Sequence, residues 1–71
     1  MSLKNILRNV LYDNLEKGDG FVHKGDLERA ALEHGHLGDA ASRRLRKMYS
    51  EGETERRTSG RSIEYKYIPK I

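Results

Sequence analysis

Gly38-Asp39-Ala40-Ala41-Ser42-Arg43-Arg44-Leu45-Arg46-Lys47-Met48-Tyr49-Ser50-Glu51-Gly52 is the stretch whose reading decides the fold. Laid out at about 100° per residue, Ala41, Leu45, Met48 and Tyr49 gather on one side of a helix. Asp39, Arg43, Arg46, Lys47 and Ser50 gather on the other. One side is built to pack and the other is positive. Asp39 suits the N-cap, where a short side-chain acceptor satisfies an orphan amide, and Gly52 stops the helix. The spacing therefore predicts a helix over 39–51.

Downstream, two strand-like runs flank Thr58-Ser59-Gly60-Arg61, which has the chemistry of a hairpin loop. In the second run Ile63, Tyr65 and Tyr67 share one face and Glu64 and Lys66 the other, and Pro69 ends the ladder. The hairpin spans 53–68. Upstream, residues 24–34 form a short polar helix with Leu27, Ala30 and Ala31 on one face. The glycine-bearing turn from His34 to Gly38 then joins it to the helix over 39–51, and is longer than the usual three or four residues. Before these, Leu3, Ile6, Leu7, Val10 and Leu11 mark one face of a first helix over 2–17, with Ser2 as its cap and Leu15 at the margin. Gly18-Asp19-Gly20 breaks that helix, and Phe21-Val22 is a minor edge strand over 21–22. The class is α+β, and the whole of 1–71 reads as one domain in the order helix, strand, helix, helix, strand, strand.

At 71 residues a single core only just offsets chain entropy, and a deep catalytic cleft is not expected. There is no cysteine, so neither a disulfide framework nor a thiolate metal site supplies stability. No apolar run approaches the roughly 20 residues that span a bilayer, and no secretory apolar segment follows Met1. The expected setting is intracellular and cytoplasmic, nucleoid-associated or nuclear according to host, with no membrane partner. The formal charge of +3 is unevenly distributed. Residues 1–38 hold five Lys or Arg against six Asp or Glu, whereas 39–71 hold nine against five. The positive charge lies in the second half, mostly as arginine, and implies a polyanionic partner more than the net value does.

The run from Gly38 to Met48, with its Ser42-Arg43-Arg44-Leu45-Arg46 centre, then Gly52, Glu55-Arg56-Arg57 and Gly60 to Tyr67, resembles the recognition helix and wing of winged helix-turn-helix transcription regulators. With the preceding helices the resemblance covers nearly the whole chain. It implies a three-helix domain with a C-terminal β-hairpin wing that binds duplex DNA without a cofactor. Such regulators commonly carry two apolar residues after the helix-ending glycine; this chain has Glu53-Thr54, so the first wing strand is expected to dock loosely.

In that docking mode the helix over 39–51 enters the major groove, its N-terminal residues reach base edges, and flanking positions grip phosphates. Asp39, Ala40, Ser42 and Arg43 face the bases, although Asp39 would repel phosphate and is more simply the helix cap; Arg43 suits guanine, whose O6 and N7 accept two guanidinium bonds. Ala40 also leaves room for close approach or for a thymine methyl. Arg46 and Lys47 serve as phosphate contacts. In the wing, Arg56, Arg57, Arg61 and Lys66 surround a small Thr-Ser-Gly tip that can approach a sugar-phosphate backbone, and the resemblance implies a minor-groove role for Arg61, where negative potential is enhanced. The same charges also suit an ordinary solvated face, with Glu51, Glu53, Glu55 and Glu64 as pairing partners.

No metal is expected: His34-Gly35-His36 lacks further ligands at useful spacing, as does His23. No nucleophile–base arrangement, phosphate loop or calcium loop is present, so no enzymatic activity or small-molecule ligand is read from the chain. Tyr65 and Tyr67 belong to the core, although tyrosines at period two also suit stacking on single-stranded RNA. Tyr12 lies opposite the first apolar stripe and is a possible dimer contact. With no extra helix or heptad seam, the expected state is a monomer or weak homodimer. A winged helix that docks a protein partner within a larger replication, transcription or viral assembly is the rival to DNA binding, and RNA binding is a third reading.

Overall fold

Ser2 caps the first helix as its position suggests: its Oγ accepts the Asn5 amide at 3.2 Å. This helix, α1 (Leu3–Asp13), buries Ile6, Leu7 and Leu11. It stops four residues short of Lys17, because the Asn14 side chain donates to the Val10 carbonyl at 2.7 Å. Asparagine competes in this way for helical carbonyls. The chain then proceeds by tight turns, with Leu15 N–H on Tyr12 O, Lys17 N–H on Asn14 O and Gly20 N–H on Lys17 O. Gly20 is buried at φ +83°, and a Cβ there would lie 3.1 Å from the Leu15 carbonyl oxygen, so the turn admits only glycine. The computed structural model describes residues 2–69; Met1, Lys70 and Ile71, and the Lys70 charge with them, lie outside.

Strand β1 (Val22–His23) begins one residue later than expected, since Val22 is the residue that turns inward. His23 Nδ1 accepts the Gly25 amide at 2.9 Å and caps α2 (Lys24–Glu33), which buries Leu27 and Ala31. Helix α2 ends in a Schellman motif: Gly35 N–H bonds Leu32 O and His36 N–H bonds Ala31 O. The connection to α3 (Gly38–Ser50) is thus His34 to Leu37, within the usual helix-turn-helix length rather than beyond it.

Leu37, not Asp39, is the N-cap of α3, and it makes no side-chain cap bond. Gly38 takes up helical geometry one residue early, which moves Asp39 into the first turn. There its charge faces the positive end of the helix dipole. Glu28 adds a second negative charge: its Oε2 lies 3.5 Å from where a Cβ of Gly38 would stand. Ala41, Leu45 and Met48 are buried as the periodicity predicts. Tyr49 is not; it is 46 % exposed. It sits about 100° round the helix from Met48, past the edge of the apolar stripe, and its ring meets the Arg56 guanidinium 5.9 Å from the centroid.

A second Schellman motif ends α3, with Gly52 N–H on Tyr49 O and Glu53 N–H on Met48 O, and sends the chain into β2 (Thr54–Ser59). Strand β3 (Ser62–Tyr67) returns antiparallel and pairs with β1 on its other edge, so the sheet order is β1-β3-β2. Ser59 pairs with Ser62, which shortens the expected four-residue loop to Gly60-Arg61. Gly60 has φ +61° while Arg61 does not enter the positive region, the pattern of a hairpin turn with glycine first. The sheet lays Val22 and Tyr65 against Leu7, Leu11, Leu27, Ala31, Ala41, Leu45 and Met48, with Ile63 and Tyr67 at the rim. No helix among the described residues is long and apolar enough to cross a membrane.

The first hairpin strand is docked at its start and not loose, because polar contacts replace the missing apolar pair. Lys4 Nζ meets Glu53 Oε1 at 2.9 Å, Ile68 N–H bonds Glu53 O, and Thr54 is only 2 % exposed. The Thr54 hydroxyl has no hydrogen-bond partner among the described residues, a state that costs roughly 1–3 kcal/mol. Thr54→Val is therefore expected to stabilise the protein by about 1 kcal/mol, a rise in Tm of about 4–8 °C in a calorimetric scan. An unchanged or lower Tm would show that the hydroxyl is satisfied.

Candidate nucleic-acid interface

The alternation of β2 and β3 sorts the hairpin cations into two environments. Thr54 and Tyr65 face the helices, and Arg56, paired directly with Tyr65, lies on that same side. Arg57 pairs with Glu64 on the opposite face. Neighbouring arginines therefore meet different surroundings.

Arg57 is enclosed by its own domain. Its Nε donates to Glu64 Oε1 at 2.7 Å, a terminal nitrogen meets Asp19 Oδ2 at 2.6 Å, and its guanidinium lies 4.0 Å from the centroid of the Phe21 ring. Lys66 reaches the same ring at 5.9 Å. Asp19 in turn accepts the Phe21 amide at 3.0 Å, which fixes the turn leading into β1. That backbone bond first, and the Arg57 guanidinium second, hold the Asp19 carboxyl below the usual aspartate range. Glu64 and then Asp19 raise the Arg57 guanidinium further above its already high value.

Helix α3 presents the opposite picture. Arg43, Arg46 and Lys47 are exposed, while Ala40 and Ser42 are half-buried toward its edges. The Arg43 Nε donates weakly to the Asp39 carbonyl at 3.4 Å and leaves its two terminal nitrogens free of ion pairs. Among the described residues no carboxylate pairs with Arg43, Arg46, Lys47 or Arg56.

Ser42 and Arg46 line a groove of about 330 Å³ together with Lys24, Arg56, Ile63 and Tyr65. Thus α3, the inward face of the hairpin and the start of α2 converge on one concavity. Tyr65 is 1 % exposed; burial raises its phenol pKa, while Arg56 and Arg46 oppose that rise. Of the residues expected at the interface, Ala40, Ser42, Arg43, Arg46 and Lys47 share α3 and Arg61 stands exposed at the hairpin tip, but Arg57 is on the far face of the sheet. Lys24 was not among the expected residues, whereas Arg56 was expected only as one of the cations around the hairpin tip and instead lines the groove.

His23 is used as a cap, His34 is exposed and His36 half-buried; no three His, Asp or Glu side chains converge among the described residues. Comparison with known proteins returns no match: no family model fits the chain, and no curated protein or solved structure is significantly similar to it.

The lowered Asp19 pKa has a definite pH consequence. A carboxyl with a depressed folded-state pKa contributes stability above its unfolded value, near 3.9, and loses that contribution as pH falls through the folded value. In a carbon-detected NMR titration the Asp19 carboxyl should titrate below about 3.9, and in Arg57→Gln its midpoint should rise toward that value. A midpoint unaffected by the substitution would show that Arg57 does not hold Asp19 in solution.

Proposed function

We propose that this chain is a winged helix-turn-helix DNA-binding protein, a small transcriptional regulator that inserts α3 into the major groove of duplex DNA. The β2–β3 hairpin lies as a wing on the flanking backbone, with Arg61 toward the minor groove. The observation that carries this reading is the one-sided neutralisation of charge. Carboxylates occupy Arg57 on the outer face, whereas Arg43, Arg46, Lys47 and Arg56 on and beside α3 have no such partner among the described residues. Unpaired cations on an exposed helix face suit phosphate neutralisation, with release of counterions. Arg43, Ala40 and Ser42 are the base-facing positions in this pose, and Arg46 and Lys47 hold phosphates.

Two features bear on the alternatives. Leu32 and Leu37, 62 % and 73 % exposed around the α2–α3 turn, favour a protein partner as the second reading. RNA stacking on the tyrosine strand loses its support, because Tyr65 is buried and Tyr67 half-buried.

Fluorescence anisotropy against a random duplex DNA pool tests the proposal, with circular dichroism as the folding control. Arg43→Ala and Arg46→Ala are each expected to weaken binding about tenfold, roughly 1.4 kcal/mol, while Arg57→Ala changes it much less. The wild-type log K should fall with log salt by about 0.9 for each phosphate neutralised. Absence of binding at low salt would reject the DNA reading in favour of the protein-docking one.

A further inference from the structure

We propose that the groove between α3, the inward face of the hairpin and the first turn of α2 is a seat for a single phosphate group, formed by Lys24, Ser42, Arg46, Arg56 and Tyr65. The proposal deepens the DNA reading, on which its assignment to a backbone phosphodiester rests.

Three cations from three different elements line one concavity: Lys24 from α2, Arg46 from α3 and Arg56 from β2. Like charges converging without an internal counterion repel one another, and a bound anion relieves that repulsion. Arg46 and Arg56 have no ion-pair partner among the described residues, and Lys24 meets only Glu28, at 3.6 Å with both side chains partly exposed. That carboxylate tempers one of the three charges and leaves the other two. Ser42 adds a hydroxyl that donates or accepts.

Tyr65 supplies the least mobile component. It is 1 % exposed and lines the groove, so its ring is held in place by the core behind it. A phenol is protonated at neutral pH, so its hydroxyl can donate as well as accept. The groove is open to solvent on one side and its space of about 330 Å³ is large enough to admit a phosphate. Two guanidinium forks and an ammonium match the geometry that phosphate oxygens accept.

The seat differs in kind from the exposed strip of Arg43 and Lys47. Those side chains project from one helix and adapt to whatever groove they meet. The seat instead fixes one anion relative to α3 and the hairpin at once, and so sets the angle between recognition helix and wing. Its contribution is to orientation and register, and carries no base information.

The test uses the full chain and inorganic phosphate. Amide NMR spectra are recorded during titration with phosphate, and with chloride at matched ionic strength, for the wild type, Arg56→Gln and Lys24→Gln. Spectral dispersion shows that each variant is folded. Saturable shifts confined to Ser42, Arg46, Arg56 and Tyr65 in the wild type, weakened at least severalfold in both variants, support the seat. Shifts no larger or more local than those with chloride overturn it, even if the protein binds DNA.

DNA binding of the same variants identifies the source of the phosphate. A salt slope smaller by about 0.9 in Arg56→Gln, with affinity lowered equally across sequences, places a backbone phosphodiester in the groove. An unchanged slope with intact phosphate shifts in the wild type supports the seat for free phosphate and removes it from the DNA interface. If the wild type binds phosphate but no DNA, the seat stands and the regulator reading falls.

Discussion

Tyr65 occupies the one position of the sheet where every part of the molecule meets. Across β3 it pairs with Val22 on one side and Arg56 on the other, and its side chain closes the core against all three helices. Burying an aromatic ring of this size stabilises a domain that has no cysteine and few other large apolar groups. It also sets the parity of the hairpin. Once Tyr65 points inward, Ile63 and Tyr67 follow, and so on the neighbouring strand do Thr54, Arg56 and Thr58. Glu55, Arg57, Glu64 and Lys66 are then turned outward. The contrast between Arg56, which has no carboxylate partner among the described residues, and an enclosed Arg57 is thus a consequence of one buried ring.

With so small a core, backbone closure carries much of the definition of the fold. Both α2 and α3 end in the same two-bond motif at Gly35 and Gly52, which satisfies carbonyls that would otherwise be exposed at helix ends. The β2 strand begins on a lysine–glutamate pair and a buried threonine where an apolar pair would be the simpler solution. A partly buried ion pair of this kind contributes little net energy. It does restrict how the hairpin leaves α3, and that angle decides whether Arg56 reaches the groove.

Much of this was legible in the residues. The apolar stripes of α1 and α3, the cap at Ser2, the order of elements and the inward face of β3 all follow from local spacing, because each depends on neighbours within one or two turns. The two-residue hairpin turn was read as four, yet the error left the faces intact: pairing 57 with 62 or 59 with 62 differs by two positions and so preserves parity. The end of α1 was missed because Asn14 resembles an ordinary polar surface residue until its amide is seen on the Val10 carbonyl. Tyr49 was assigned to the core because its position lies close to the stripe and only the approach of Arg56 shows which way the ring turns. The state of Arg57 was not readable at all. Its partners include Asp19 and Phe21, remote in sequence and brought there by the turn at Gly20.

This remote pairing changes what the charge distribution means. Counting along the chain assigns the positive charge to the second half, with the hairpin as a large contributor. In three dimensions the outer face of that hairpin is largely cancelled, since Asp19 comes from the acidic half to meet Arg57 and Glu64 stands opposite it. The reverse transfer brings Lys24, also from the acidic half, beside Arg46 and Arg56. The electrostatically active surface is therefore narrower than the sequence asymmetry implies and is centred on α3, with contributions from both halves. A field focused in a concave region attracts an anion more effectively than the same charge spread over both faces of a sheet. The acidic residues Asp19 and Glu64 sharpen that focus by cancelling charge on the outer face of the hairpin.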